Sequence, residues 1–408
     1  MKILVLTSTY ARRQGDTEPR FVDNLCHYLA ESTPPNEVHV VAPHAPGIPT
    51  HEIMDGIPVF RFRYCFESWQ TLAYEGGILP SLKQNKLRIL LVPFFIFSQL
   101  LLAIKLARAN HYDVIHAHWI IPQGLVAVFL RKLIRSNPAL VLTSHGGDLF
   151  ALKGGLLARL KRWIISRADR LTVVSSAMKD KALQQELVTE QQVAVIPMGV
   201  DSQGMFQPPA AGTARKDLLF VGRLVDKKGI EYLIKAMPVV LGKHPNTRLT
   251  LIGDGPLRQA LEAACQAGGI STQVKFLGSL VNQEIPGHLQ TAAVTLFPSV
   301  VTDSGDQEGT PVAIMEALAC ANAVVVSDYP GARDIIHDRE NGLLVPQKSP
   351  DELARAILFL LDNPGKCREM GARGRQTVEQ HYDWRVISGL FLGQFEALST
   401  HHPEAASK

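Results

Sequence analysis

Short runs of apolar residues alternate with longer amphipathic stretches along nearly the whole chain. Most positions in these runs are apolar and they do not alternate strictly with polar residues, which is typical of parallel strands buried on both faces of a sheet. The stretches between them have the spacing of helices that cover such a sheet. The pattern therefore predicts an α/β fold with the strands Ile3–Leu6, Val38–Ala42, Val59–Phe62, Val114–Ala117, Leu140–Thr143, Leu171–Val174, Val193–Ile196, Leu218–Val221, Leu249–Ile252, Val274–Leu277, Val294–Phe297, Ala323–Val326 and Leu343–Val345.

The alternation restarts after a polar, proline-containing segment, Asp201–Lys216, which is the best candidate for a linker. We expect two Rossmann-like, doubly wound domains that face each other across a cleft, residues 1–205 and residues 206–383. Ligands of such sheets bind at the carboxyl ends of the strands. A helical stretch, Trp384–Leu398, follows the completed second domain. We therefore expect a C-terminal helix, residues 384–400, to pack back onto the first domain.

The most apolar segment of the chain is Arg88–Ala109. Pro93 interrupts it, and its uncharged run from Ile89 to Ile104 is shorter than a membrane-spanning helix requires. One interpretation is a core helix between strands. The other is an interfacial helix on anionic lipid, and both can hold. The cations that would flank an interfacial helix are Lys83, Lys86, Arg88, Lys105 and Arg108.

The composition and the cysteines narrow the class of protein. Apolar residues make up 46% of the chain and charged residues 20%, as in folded, core-forming proteins. The odd number of cysteines and the lack of a C-x-x-C pair argue against a disulfide framework or a zinc site. A reducing, cytoplasmic location fits this usage. The cysteines are Cys26, Cys65, Cys265, Cys320 and Cys367.

The net charge of +4 is too small to suggest a nucleic-acid partner. The excess of positive charge lies in the first half, around residues 83–108, 131–135 and 153–170. A basic face attracts anions. Because the apolar segment Arg88–Ala109 lies beside this charge, an anionic membrane surface is the leading candidate for a partner.

The densest chemical signal is the run from Glu308 to Glu316 (EGTPVAIME). Thr310 is suited to cap a helix and Pro311 to begin it. Glu308 then lies in the loop before the helix, and Glu316 lies inside it. A helix N-terminus attracts a diphosphate, and carboxylates accept hydrogen bonds from sugar hydroxyls. An ordinary acidic helix start would give the same pattern.

A second signal is the segment Val221–Gly229 (VGRLVDKKG). Gly222 allows a tight turn at the end of a predicted strand, and Arg223 and Lys228 follow. Arginine binds phosphate in a bidentate manner and lysine supplies a point charge. A solvated basic turn is the alternative. The turn at Ile252–Pro256 (IGDGP) lacks a complete G-x-G-x-x-G pattern and more often only packs a helix against a sheet.

In the first half, His145 follows a predicted strand in the sequence SHGGD. The glycines beside it admit close approach of a ligand. His116 and His118 end the preceding strand. No carboxylate or cysteine cluster joins these histidines, so we expect no metal site, and His116 is best explained as a structural residue.

These motifs, taken in order, resemble the retaining glycosyltransferase family 4 (glycosyl transferases group 1), which has the two-domain GT-B fold. Each motif is weak alone, but the ordered set is specific and covers nearly the whole chain. The motifs are the first strand with its Gly15 loop, SHGGD, VVSSAMKD (Val173–Asp180), IPMGVD (Ile196–Asp201), VGRLVDKKG, IGDGP, VKFLG (Val274–Gly278), the paired glutamates, NGLLVP (Asn341–Pro346) and the helix at Trp384.

The resemblance implies a role for each matching residue. Arg223 and Lys228 would bind the donor diphosphate and stabilise charge on the leaving nucleotide. Glu316 would hold the ribose and Glu308 the donor sugar, while His145 would reach that sugar from the opposite domain. Backbone and turn contacts to the donor would come from Gly15, Gly222, Phe276, Leu277, Gly309, Thr310 and Pro311. Where relatives often carry a glutamate, this chain has Arg333 and Asp334, to which we assign no role.

Enzymes of this kind retain anomeric configuration without a metal, by front-face attack in which the leaving phosphate accepts the acceptor's proton. We therefore expect no cofactor and no metal, with the nucleotide-diphosphate sugar as substrate. The two glutamates are not a glycosidase acid/base pair.

The sequence thus predicts a hexosyltransferase that acts on a saccharide or lipid-linked acceptor in cell-envelope polysaccharide or glycolipid synthesis. Residues 68–78 and the apolar segment would form its acceptor side, with residues 83–108 on the inner face of the cell membrane. A small soluble acceptor, as in the synthesis of a sucrose- or trehalose-like product, is an alternative. A non-catalytic nucleotide-sugar binder and a sugar-nucleotide epimerase are others. The sugar, the base and the oligomeric state stay open.

Overall fold

The computed structural model describes residues 1–13, 16, 20–74, 76–150, 155–303, 308 and 311–399. The chain forms two compact units. The first contains Met1–Pro197 and the residues from Arg385 onward, and the second contains Met198–Trp384.

The first unit is built on an eight-stranded sheet with the order β3-β4-β2-β1-β5-β6-β7-β8. Neighbouring strands are parallel, except that β3 runs antiparallel to β4. The strands are β1 (Lys2–Leu6), β2 (Glu37–Pro43), β3 (His51–Met54), β4 (Ile57–Phe62), β5 (Val114–His118), β6 (Ala139–Ser144), β7 (Arg170–Val173) and β8 (Val193–Val195). The helices between them are α1 (Phe21–Ala30), α2 (Ile78–Gln84), α3 (Val92–Ala109), α4 (Leu125–Leu133), α5 (Gly147–Phe150), α6 (Gly155–Ile165) and α7 (Ser176–Gln184).

The second unit has a parallel six-stranded sheet with the order β11-β10-β9-β12-β13-β14. Its strands are β9 (Lys216–Val221), β10 (Leu249–Ile252), β11 (Val274–Gly278), β12 (Ala292–Phe297), β13 (Ala323–Ser327) and β14 (Leu343–Val345). Its helices are α8 (Ile230–Lys243), α9 (Arg258–Ala267), α10 (Ile285–Thr291), α11 (Val312–Ala319), α12 (Pro330–Arg333), α13 (Pro350–Asp362) and α14 (Pro364–His381), and α15 (Trp384–Ser399) ends the described chain. Apolar faces of β9, β10 and α8 meet in its core.

The predicted α/β fold with two parallel sheets is confirmed. Each predicted run coincides with a strand to within two residues at either end. Strand β3 was missed because it is an exposed, antiparallel edge strand with polar residues. Its signal was the dipeptide Asp55-Gly56, whose positive φ angles of 47° and 81° suit a two-residue hairpin turn.

The two units divide at Pro197, before the predicted boundary at residue 205. The segment after Pro197 belongs to the second unit because it binds that unit's last residues. Val200 donates its N–H to the Tyr382 carbonyl at 2.8 Å, and the Ser202 hydroxyl donates to the Asp383 carboxylate. The part of α15 from Arg385 onward groups with the first unit, where the rings of Phe391 and Phe395 lie against His116.

The apolar segment begins with a 3-10 helix, Lys86–Leu91, and continues as α3. Pro93 does not interrupt it, because it lies in the first turn of α3, where no hydrogen-bonded N–H is needed. The stretch Lys86–Ala109 is long and apolar enough to cross a membrane by length and composition alone. An 18-residue part of it has a mean hydropathy of 2.3, and only 22% of that part is buried. A single stripe faces the core, consisting of Phe95, Gln99, Ala103 and Leu106. The core-helix interpretation therefore accounts for the buried stripe of α3 but not for its exposed apolar side chains.

Candidate active site

In the second unit, three loops meet beyond the carboxyl ends of β9, β10 and β11. Gly222 donates its N–H to the Ile252 carbonyl at 2.9 Å, and Gly253 donates to the Gly278 carbonyl at 2.8 Å. A Cβ on Gly253, whose φ is 132°, would lie 1.9 Å from the Gly222 carbonyl oxygen. Only glycine allows so close an approach, so these loops form a fixed backbone platform.

The loop after β9 is held against the loop after β12. Gly229 has a φ of 61°, and a Cβ there would lie 2.0 Å from the Pro298 carbonyl oxygen. Val300 donates its N–H to the Lys227 carbonyl at 2.8 Å. The basic turn before α8 is thereby brought beside the loop that carries Glu308.

This arrangement joins Lys228 to Glu308, which are far apart in sequence. The Lys228 ammonium lies 3.0 Å from Oε2 of Glu308, and the Lys227 ammonium lies 3.6 Å from Oε1. The side chains of Lys228 and Glu308 are only 15% and 12% exposed. Oε1 of Glu308 is sealed from solvent and accepts no hydrogen bond from the residues that the structure describes. Buried polar atoms normally have a partner, so this oxygen is suited to accept a hydroxyl hydrogen from a ligand.

Glu316 lies in the second turn of α11, on the same side of the unit as Lys228. Burial raises the pKa of Glu316 to about 7, while the Lys228 ammonium acts in the opposite direction. Helix α11 begins at Val312, with Pro311 as its N-cap. The helix therefore starts one residue later than predicted, because Pro311 has a ψ of 89° and is not helical.

Arg223 is exposed, and no ion pair or hydrogen bond joins its guanidinium to the described part of the chain. A Cβ on Gly222 would lie 3.3 Å from Cε of Lys228, so glycine keeps space for that side chain. Phe276 and Leu277 are half-buried on β11. The Arg258 guanidinium lies 6.0 Å from the centre of the Phe276 ring.

In the first unit, His145 follows β6 in a turn that is fixed by Asp148. The Ser144 hydroxyl and the Ile120 N–H each donate to the Asp148 carboxylate at 2.7 Å. Asp148 is buried, and burial raises its pKa even though these hydrogen bonds lower it. The turn also uses Gly146, whose φ is 104°.

The three predicted histidines form one cluster in the first unit. Nδ1 of His118 lies 3.0 Å from Nε2 of His145, and Nε2 of His116 lies 2.7 Å from the Thr143 hydroxyl. Burial lowers the pKa of His116 and of His145 to about 3, and that of His118 well below its usual value. All three rings are therefore neutral near pH 7. Within the described ranges, no three His, Cys, Asp or Glu side chains are arranged to hold a metal ion.

Two family models match consecutive parts of this chain. Residues 19–203 match the model described as Glycosyltransferase Family 4, and residues 201–377 match the model described as Glycosyl transferases group 1. The chain belongs to glycosyltransferase family 4. It is accordingly a retaining glycosyltransferase, as the motifs predicted.

Curated relatives of this family 4 enzyme include an uncharacterized glycosyltransferase of Methanocaldococcus jannaschii. It is 27% identical over 95% of this chain and 96% of its own length. A GDP-mannose-dependent monoacylated alpha-(1-6)-phosphatidylinositol monomannoside mannosyltransferase of Corynebacterium glutamicum is 32% identical over 47% of this chain and 53% of its own.

Solved structures share the fold. Sucrose-phosphate synthase of Thermosynechococcus elongatus has a TM-score of 0.76 at 22% identity, covering 98% of this chain and 99% of that one. Anabaena HepE in complex with UDP has a TM-score of 0.72 at 19% identity, covering 98% and 100%. At these identities the likeness establishes the GT-B fold of the enzyme and not its substrates.

The structure groups most of the predicted site residues in the second unit, while His145 belongs to the first. Gly15, Gly309 and Thr310 lie outside the described residues. Lys227 was missed as a partner of Glu308, because the doublet Lys227-Lys228 does not indicate which ammonium faces the loop. Arg333, left without a role, binds Asp328 with 2.7 Å between Nη2 and Oδ2.

A cavity of about 820 Å³ in the second unit lies elsewhere. It is lined by the loop before β9, residues 208–215, and by residues near the amino ends of strands, such as Lys216, Ala293 and Ala321. Ligands of doubly wound sheets bind at the opposite, carboxyl ends, so we assign it no part in transfer.

Proposed function

We propose that this family 4 enzyme transfers a hexose from a nucleotide-diphosphate sugar that binds over the carboxyl ends of β9–β11 and the start of α11. The observation that carries the proposal is the contact between Lys228 and Glu308. The same end of the sheet has the exposed Arg223, which has no ion pair with the described residues, and the half-buried Glu316. Two cations and two carboxylates at this edge of the sheet match the anionic and the hydroxyl-bearing parts of such a donor.

Each charged group has a distinct part in the proposed binding mode. Arg223 and Lys228 bind the diphosphate and stabilise the negative charge that develops on it as it leaves. Glu308 accepts hydrogen bonds from the sugar hydroxyls through the oxygen that has no hydrogen-bond donor among the described residues. Glu316 accepts hydrogen bonds from the ribose hydroxyls, and these bonds favour its charged form against the effect of burial. Phe276 and Leu277 lie where the base would rest.

The transfer breaks the bond between the sugar C1 and the phosphate oxygen and forms a bond from C1 to the acceptor oxygen on the same face. The acceptor's hydroxyl proton passes to the departing phosphate oxygen, so no protein group has to gain or lose a proton. This agrees with Glu308, which is already paired with Lys228 and acts only as a hydrogen-bond acceptor. His145, in the first unit, is assigned to the donor sugar.

We propose that the acceptor is a saccharide or a lipid-linked molecule of cell-envelope or glycolipid synthesis. We propose also that the enzyme is cytoplasmic and binds the inner face of the membrane. Support comes from the outer side of α3, where Phe94 and Phe97 are 61% and 60% exposed. Leu87, Leu90 and Leu101 extend the same exposed apolar surface. An apolar helix face with cations at both ends binds in the interface of an anionic membrane. The exposed cations are Lys83, Lys86, Lys105 and Arg108.

The donor proposal is tested with a panel of UDP-, GDP- and ADP-sugars. We expect one base to bind, and the matching sugar nucleotide to be hydrolysed slowly without acceptor. Arg223→Ala should abolish the hydrolysis, whereas Arg355→Ala, an exposed arginine on α13, should not change it. Equal rates in wild type and Arg223→Ala, or an altered nucleotide sugar as the product, would contradict the proposal.

Membrane contact is tested by flotation with vesicles. We expect the enzyme to float with vesicles of phosphatidylcholine and phosphatidylglycerol, and the triple variant Phe94→Ser, Phe97→Ser, Leu101→Ser to stay behind. Val239→Ser, at an exposed apolar residue of the second unit, is the matched control. Absence of wild-type binding to the anionic vesicles would count against a membrane acceptor and favour a soluble one.

A further inference from the structure

Two separate sets of hydrogen bonds lie behind His145. In one, His118 on β5 bonds His145 directly. The other is a chain from His116 on β5 through Thr143 on β6 to Thr172 on β7. The side chains of His116, His118, Thr143 and Thr172 are all buried. The directions of these bonds decide which nitrogen of each ring carries its hydrogen.

The chain has one consistent direction at His116. The Thr172 hydroxyl can donate to the Leu142 carbonyl at 3.3 Å and accept from the Thr143 hydroxyl, 2.6 Å away. The opposite direction would put the hydrogen of His116 on Nδ1, which is sealed from solvent without a partner among the described residues. The Thr143 hydroxyl then has to accept from Nε2 of His116, at 2.7 Å. Because each hydroxyl has a single hydrogen, His116 carries its hydrogen on Nε2.

For His118, burial decides which of the two ring nitrogens carries the hydrogen. Its Nδ1 lies 3.0 Å from Nε2 of His145, while its own Nε2 is sealed from solvent without a partner among the described residues. A neutral imidazole has one N–H, and an orphaned buried N–H is rarer than an orphaned acceptor. The hydrogen therefore belongs on Nδ1 of His118, which donates to Nε2 of His145.

His145 must then carry its hydrogen on Nδ1. Its ring is held in place by aromatic neighbours: the Phe21 and Trp119 ring centres lie 4.7 and 5.0 Å away, and the His118 ring is nearly parallel to it, at 12°. Trp119 itself has a φ of 73°, an uncommon conformation for a residue other than glycine, and its N–H is bound to the Thr143 carbonyl at 2.8 Å. A ring packed in this way cannot exchange its two nitrogens by rotation.

We propose that His118 is a positioning residue, which holds His145 as the Nδ1–H tautomer so that His145 offers a hydrogen-bond donor to an oxygen of the donor sugar. This proposal rests on the proposed function, in which His145 contacts that sugar. The half-buried His145 ring has Nδ1 as its remaining polar atom, and no hydrogen bond joins it to the described residues.

The tautomer is tested directly by ¹⁵N NMR of histidine-labelled protein without any donor. We expect the His145 resonances to show a protonated Nδ1 and a bare Nε2 in the wild type. In His118→Leu, which cannot donate, we expect a mixture of the two tautomers. In His116→Leu, which is equally buried but bonds Thr143 instead, His145 should keep its wild-type tautomer. A protonated Nε2 of His145 in the wild type would overturn the proposal.

Kinetics test the consequence for transfer. The His118→Asn side chain can place an amide N–H where Nδ1 was, and His118→Leu cannot. We expect His118→Leu to lower kcat by about a hundredfold, with the donor KM nearly unchanged, as for a misplaced catalytic contact. His118→Asn should recover most of the loss. Equal losses in both variants, or the same loss in His116→Leu, would indicate packing alone and refute the positioning role. If the wild type turned over no sugar nucleotide, the proposed function would fail, and the NMR result would still decide the tautomer.

Discussion

The ion pair between Lys228 and Glu308 is the feature on which the donor site depends, and its strength can be measured. Two unit charges 3.0 Å apart attract by about 5.5 kcal/mol at an effective dielectric constant of about 20. Desolvation of two largely buried groups offsets much of this attraction. Lys227, 3.6 Å from the other oxygen, keeps Glu308 partly compensated when Lys228 is removed. We therefore expect a coupling free energy of about 2 kcal/mol between the two side chains.

A double-mutant cycle measures this coupling, with Lys228→Met, Glu308→Gln and the double variant. Urea unfolding of the full chain gives the free energies of unfolding. Hydrogen exchange of peptides from α8 reports the second unit separately, because two units need not unfold together. The pair Lys235–Glu231 on α8 is a matched control, with nearly the same separation of 3.1 Å but exposures of 60% and 56%. Its coupling should be only about 0.3 kcal/mol.

Burial is the reason for the expected difference between the two pairs. If the coupling free energy between Lys228 and Glu308 were no larger than that of the exposed control pair, the two side chains would not be held together in solution. The proposed binding of the diphosphate by Lys228 and of the sugar by Glu308 at one place would then lose its structural basis.

Two further predictions concern single residues. Burial raises the pKa of Glu316 from 4.5 to about 7, so the folded chain holds a proton that the unfolded chain has lost, and stability should fall as the pH rises from about 4.5 to about 7. Urea unfolding at several pH values should show that Glu316→Gln removes this dependence of stability on pH. The same variant should lose the proton release on nucleotide binding, which calorimetry in buffers of different ionisation enthalpy detects. An unchanged pH profile of stability would contradict the assignment. Gly229→Ala should lower the free energy of unfolding by about 2 kcal/mol because of its positive φ and its contact with Pro298. Gly242→Ala, where a Cβ meets nothing within 4 Å, should instead raise it by about 0.5 kcal/mol, and equal effects at both positions would refute the argument.

Much of the fold could be predicted because its signals are local. Apolar runs such as Leu249–Ile252 indicate buried strands through the residues they contain. Turns such as VGRLVDKKG and SHGGD occur where a strand gives way to a loop, and their order along the chain led to the family. Strand β3 escaped because its edge position leaves it exposed, and the division at Pro197 escaped because it depends on contacts with Tyr382 and Asp383.

What the sequence by itself determined is which residues stand at the carboxyl ends of strands: Arg223 and Lys228 after β9, and His145 after β6. Only the tertiary structure decided which of these side chains meet. The contact of Lys228 with Glu308, the burial that raises the pKa of Glu316, and the bond from His118 to His145 each join or enclose residues distant in sequence. No local pattern encodes such contacts, because they arise where separate loops are brought to one edge of a sheet by the packing of the whole unit.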